Sequence, residues 1–320
     1  MTTHYAGLAR HIPVPPAVPT VSVNPVTLPA PDRALPLTLR VTAPLHGDAL
    51  PIVLLSHGGG SSYHLRSKDG YAPLVDFWAS HGFAVLQPTH LSSPGGGLGL
   101  DPDAPGYPLF WRSRIDDFTL ILDGLDAIEA QAPAVAGRLD RARVAAAGHS
   151  AGGNTVSALL GARATDPSGG VLDLREPRIS AGVLLASTGS AEGMTDAMRA
   201  RYPELEADFS HLTARTLVVH GDQDDNPAAT TRGADWSAEP YHLSPGADAL
   251  LTLPGARHYL GGIMGYDLAE TDDEDPERLA VTQRMTWAYL RSALDPGDPA
   301  WQRALDAVRD HPSLASVQTR

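Results

Sequence analysis

The stretch Arg143-Val144-Ala145-Ala146-Ala147-Gly148-His149-Ser150-Ala151-Gly152-Gly153 decides the fold, because one serine joins two kinds of secondary structure in it. Residues 143–147 are an apolar run of strand length, and residues 151–162 are an alanine-rich helical segment. Between them Gly148-His149-Ser150-Ala151-Gly152 forms a G-x-S-x-G turn. Such a turn is so sharp that its serine takes strained backbone angles, and the residues two before and two after it must lack bulk. Gly148 and Gly152 meet that demand. A helix beginning at Ala151 directs free N–H groups and its positive dipole end towards the serine oxygen. The pentapeptide alone is a weak signal in a chain with 31 glycines; set between an apolar strand and a helix it is far more specific. The plain alternative is a strand-to-helix turn with no chemistry.

The same alternation continues on both sides. Residues 21–28 and 36–41 are β-forming runs joined by the turn-prone 29–34, which predicts an antiparallel hairpin at a sheet edge. Further strands are expected at 52–56, 83–87, 181–186, 216–220 and 249–253, the last of the series. Helices are expected at 72–80, along the stripe Ile115, Phe118, Leu122, Leu125 and Ile128, and at 276–294, with Asp275 as cap and Pro276 in the first turn. Strands that are apolar throughout and alternate with helices mean an α/β fold: a mostly parallel central sheet, helices on both faces, and an N-terminal antiparallel hairpin. Ligands bind such sheets at the loops after the carboxyl ends of the strands. The expected division is an extended proline-rich arm at 1–19, a single domain at 20–310 and a tail at 311–320. A small lid is placed at 187–212, together with the loop around Trp236.

Composition narrows the chemistry. Of 320 residues, 42% are hydrophobic and 19% charged, an ordinary globular balance. The net charge of −13 argues against nucleic acid as a partner, since phosphate binding needs a basic surface. There are no cysteines, so disulfides, thiolate metal sites and a cysteine nucleophile are excluded. No metal and no cofactor is expected. P-loop spacing is absent, and no dinucleotide G-x-G-x-x-G leads from a strand into a helix. The acidic run 271–277 lacks the alternating ligands and central glycine of a calcium loop and reads as a solvated helix start. No apolar run approaches the ~20 residues that span a bilayer. The first 19 residues lack the charged start and apolar core of a signal peptide, so a cytoplasmic location is expected, with a secreted mature form as the alternative. Oligomeric state is not legible.

A serine hydroxyl needs a base to become a nucleophile. Among 13 histidines, placement favours His258, in the loop just past the last expected strand, where a base hangs over the serine. His211 and His242 precede strands and fall at the wrong end of the sheet. An acid should follow the strand at 216–220, where Asp222, Asp224 and Asp225 compete and periodicity does not separate them. An oxyanion hole needs two N–H donors. One is Ala151, and the other is Gly59, with Gly60 next, from the loop His57-Gly58-Gly59-Gly60. His57 itself reads as a packing or hydrogen-bonding residue of that loop. Trp111, with Phe110 and Tyr107, either lines a substrate pocket or packs the start of the next helix. Gly60 and His149 are the other pocket candidates.

His57-Gly58-Gly59-Gly60, residues 83–88 leading to Thr89-His90, residues 148–153, His220-Gly221-Asp222-Gln223-Asp224 and Gly255-Ala256-Arg257-His258 resemble one known family. It is the dienelactone-hydrolase-like branch of the α/β hydrolases, including bacterial relatives of chlorophyllase, platelet-activating-factor acetylhydrolase and polyester hydrolases. The resemblance covers most of residues 45–294, with its strongest motifs at the elbow and at His258. It implies the α/β-hydrolase fold and puts the acid at Asp224, four residues after His220, ahead of Asp225 and Asp222. Dienelactone hydrolases proper carry a cysteine nucleophile, which this chain lacks. The serine form implies hydrolysis of carboxylic esters, small or aromatic, through Ser150, His258 and Asp224 and an acyl-enzyme. The alternatives are an amidase, peptidase or acyltransferase using the same residues, or a binding module that kept the fold without catalysis.

Overall fold

A strand that is apolar on both faces needs cover on both faces, and the chain supplies it by alternating strands with helices. The computed structural model describes residues 6–59, 65–93, 102–165, 170–265 and 271–320. In chain order the elements are β1 (Thr20–Leu28), β2 (Leu37–Pro44), β3 (Leu50–Ser56), α1 (Ala72–Ser80), β4 (Ala84–Pro88), α2 (Trp111–Asp123) and α3 (Leu125–Gln131). Then come β5 (Leu139–His149), α4 (Ala151–Leu159), β6 (Arg163–Thr165), β7 (Val171–Leu172), β8 (Ile179–Leu185), α5 (Asp196–Arg201), β9 (Ala207–Asp208) and β10 (Arg215–Gly221). The chain ends with α6 (Glu239–Leu243), β11 (Ala247–Leu253), α7 (Pro276–Leu294), α8 (Ala300–Asp310) and β12 (Ser316–Thr319).

Among the described residues, nine strands form one sheet in the order β1-β2-β4-β3-β5-β8-β10-β11-β12. The run from β4 to β11 is parallel, while β1, β2 and β12 pair antiparallel at the two edges. Successive side chains of each central strand go to opposite faces. Ile52, Leu54, Val144, Ala146, Leu184 and Val218 therefore join the core under α2, α3 and α4. Val53, Leu55, Ala145, Ala147, Val183 and Val219 join the core under α1, α7 and α8. Helices α1 and α7 occupy the expected residues, and the Asp275 carboxylate accepts from the N–H groups of Glu277 and Arg278 at the α7 start.

Four expectations need correction. The stripe from Ile115 to Ile128 is two helices, broken at Gly124, where a Cβ would lie 2.9 Å from the Leu28 side chain. Residues 249–253 are not the last strand, because Ser316–Thr319 pairs antiparallel with β11 and caps the sheet edge. The expected tail at 311–320 thus contributes a strand to the sheet at 316–319; Ser-Val-Gln-Thr is too short and too polar to announce one. The N-terminal arm is not simply extended either. Residues 7–11 coil into a 3-10 turn, Ala9 and Ile12 are fully buried, and Arg284 Nη1 of α7 donates to the Ile12 carbonyl at 2.6 Å.

The proposed lid segment, 187–212, contains α5 and β9, and β9 pairs with β6 in a small antiparallel sheet of its own. No helix among the described residues is long and apolar enough to cross a membrane. The parallel strands β3, β5, β8, β10 and β11 all end on the same side, so the loops after Ser56, His149, Leu185, Gly221 and Leu253 gather at one edge.

Candidate active site

The elbow between β5 and α4 is as tight as its glycines allow. A Cβ on Gly148 would collide with the Gly152 carbonyl, and one on Gly152 would collide with the Ser56 carbonyl of β3. Ser150 consequently sits at φ +54°, ψ −121°, a region that side chains avoid, pinned by its N–H donating to Leu185 O at 2.9 Å. The first bond inside the α4 turn runs from Gly153 N–H to Ser150 O, so the Ala151 N–H lies ahead of it at the positive end of the helix.

Two other strand ends bring a histidine and a carboxylate to the same place. His258 Nδ1 donates to the Asp224 carboxylate, with both oxygens at 3.1 Å. Asp224 is buried, and the His258 side chain is one-third exposed. A neutral ring whose Nδ1 carries the proton keeps the Nε2 lone pair available. Ser150, Asp224 and His258 line one small cavity of about 80 Å3. The other acidic residues of that turn have different surroundings. Asp222 accepts from the Gly255 N–H at 2.7 Å, and Asp225 is exposed.

The glycine loop after β3 lies directly against the serine: a Cβ on Gly58 would be 3.0 Å from Ser150 Cβ. The peptide groups of this loop are held by side chains that the sequence did not announce. Tyr71 Oη accepts from the Gly58 N–H at 2.9 Å, and Arg114 Nη2 donates to the His57 carbonyl. His57 Nδ1 donates to the Gly58 carbonyl at 2.5 Å. In a trans peptide the N–H points opposite to the carbonyl, so this bond also fixes the direction of the Gly59 N–H. His57 is therefore a loop-holding residue, as its buried ring suggests.

Behind the loop lies a buried polar cluster. Asp117 is ion-paired with Arg33, whose Nε lies 2.8 Å away and whose Nη2 donates to it at 3.3 Å; it also accepts from His90 Nδ1 at 2.8 Å, and His90 Nε2 meets Ser56 Oγ at 3.1 Å. Burial pushes the Asp117 carboxyl up to about 7, against the pull of Arg33. Burial likewise holds His57 and His90 well below the ordinary histidine range, so both are neutral. Removing one member of a buried ion pair leaves an uncompensated charge. Asp117→Ala is expected to cost about 3–5 kcal/mol, read from the urea midpoint at constant m-value.

The remaining pocket candidates divide. Trp111 is packed into the core, its indole N–H donating to Asn154 Oδ1 at 2.8 Å, so packing rather than substrate contact accounts for it. His149 is fully buried with both ring nitrogens engaged, by Tyr71 Oη at 2.8 Å and the His258 carbonyl at 2.8 Å. It braces the site from behind instead of lining a pocket. Gly60 lies outside the described residues. The cavity wall comes instead from Ser187, Thr188 and Met198 of the segment 187–212 and from Ala229 and Trp236. Trp236 is anchored by its indole N–H on Ser190 O at 3.0 Å.

Among the described residues, no group of three or more His, Asp or Glu side chains is placed to hold a metal ion. No protein-family model matches this chain, and no curated protein matches it significantly.

Proposed function

We propose that the chain is a serine hydrolase of the α/β-hydrolase type that cleaves carboxylic esters with short acyl groups. The observation that carries this reading is a serine strained at φ +54° that shares one cavity with the Asp224-bound His258. Ser150 Oγ attacks the ester carbonyl while His258 Nε2 accepts its proton. Asp224 holds the ring in the accepting tautomer and stabilises the imidazolium. The N–H groups of Ala151 and Gly59 receive the oxyanion. His258 returns the proton to the departing alcohol, leaving an acyl-enzyme on Ser150. Water, deprotonated by His258, then releases the acid.

A small cavity walled by Met198, Ala229 and Trp236 favours a short, apolar acyl group. A series of p-nitrophenyl esters tests the whole reading. Acetate or propionate should give a burst of p-nitrophenol followed by steady turnover. Octanoate should be slower in kcat/KM by roughly 10-fold or more. Rates that rise with chain length would contradict the pocket assignment, and faster cleavage of the matching anilide would favour an amidase.

A further inference from the structure

Ser150, His258 and the oxyanion loop come from three separate strand ends, and one chain of hydrogen bonds, buried except at its His258 end, links two of those ends through the residue beside the third. The Gly58 N–H donates to Tyr71 Oη at 2.9 Å, and Tyr71 Oη bonds His149 Nδ1 at 2.8 Å. His149 Nε2 in turn meets the backbone carbonyl of His258 at 2.8 Å. A carbonyl only accepts, so Nε2 carries the proton. Burial, reinforced by the neighbouring His258, pushes the His149 ring down to about 3, which keeps it neutral. Nδ1 is then the acceptor and the tyrosine hydroxyl the donor. The direction of every bond is thereby fixed.

Tyr71 and His149 are both fully buried, and neither lines the cavity that holds Ser150, Asp224 and His258. Tyr71 occupies φ +59° at the start of α1, an unfavourable angle that its packed position maintains. His149 precedes Ser150 in the elbow, and a Cβ on Gly58 would be 2.8 Å from its Nδ1. We infer that Tyr71 and His149 are positioning residues that set the distance between the oxyanion loop and the His258 loop. The inference rests on the hydrolase reading above. A shift of either loop would weaken the transition state more than the bound ester, because the oxyanion and the proton transfer both develop only during reaction.

The test is a double-mutant cycle on p-nitrophenyl acetate hydrolysis by the full chain, with thermal melting of each variant. Tyr71→Phe removes the bridging hydroxyl. His149→Gln places an amide near the Nε2 position and lacks an acceptor at Nδ1; His149→Asn does the reverse. Each single change should lower kcat about 10- to 100-fold with KM nearly unchanged. The pair Tyr71→Phe with His149→Gln should lose no more than the worse single, since both cut the same link. Losses that multiply, or wild-type kcat in Tyr71→Phe, would overturn the inference. Should a variant not fold, nitrogen NMR of the wild-type His149 ring serves instead. It should show a neutral ring protonated at Nε2 between about pH 5 and pH 8, and a proton on Nδ1 or a charged ring would overturn the tie. Ser150→Ala run alongside separates the two claims. An active Ser150→Ala removes the hydrolase reading, whereas an inactive one beside a fully active Tyr71→Phe removes the tie alone.

Discussion

Ser150→Ala is expected to lower p-nitrophenyl acetate turnover by roughly five to six orders of magnitude, with little change in thermal stability. The loss is large because the base and the acid have no purpose without the hydroxyl, so removing one member removes the function of all. Stability should hold because alanine inherits the same φ of +54° and the same N–H bond to Leu185. Ser150→Gly should be equally inactive yet more stable by on the order of 1 kcal/mol, since glycine relieves the backbone strain. Retained turnover in either variant would show that the strained serine is a turn and nothing more.

Asp224→Asn is the second large effect, a loss of about 10^4-fold in kcat. An asparagine amide donates to His258 Nδ1 and so forces the proton onto Nε2, the nitrogen that must accept from Ser150. The ring stays in place and the tautomer becomes wrong. Asp222→Asn and Asp225→Asn should remain within a few-fold of wild type, because one caps the Gly255 N–H and the other is exposed. A comparable loss in Asp225→Asn would move the acid to that residue.

These expectations depend on features of very different legibility. The centres of β3, β4, β5, β8, β10 and β11 and the limits of α1 and α7 can be read locally, because burial on two faces writes an uninterrupted apolar run, His81-Gly82 stops α1 and Asp275-Pro276 starts α7. The elbow is legible for the same reason, as a short motif whose neighbours state their own secondary structure. What escapes is what depends on contacts across long stretches of chain. Ser316–Thr319 is a strand only because the edge of β11 is there to pair with. Arg114 and Tyr71 hold the glycine loop from positions that read, in sequence, as ordinary helix and turn residues. The choice among Asp222, Asp224 and Asp225 rests on which one the turn after β10 folds inward, and no periodicity records that. Trp111 illustrates the opposite case: a large aromatic at the right edge of the sheet, whose indole bonds Asn154 in the core.

The hydrolase reading reduces to whether Ser150 Oγ is a nucleophile. A fluorophosphonate probe forms a covalent bond only with an activated serine, and digestion with mass spectrometry locates the adduct. One adduct per chain is expected, on the peptide containing Ser150, and it should vanish in Ser150→Ala. An adduct on another serine, or none on folded wild-type protein, would contradict the reading.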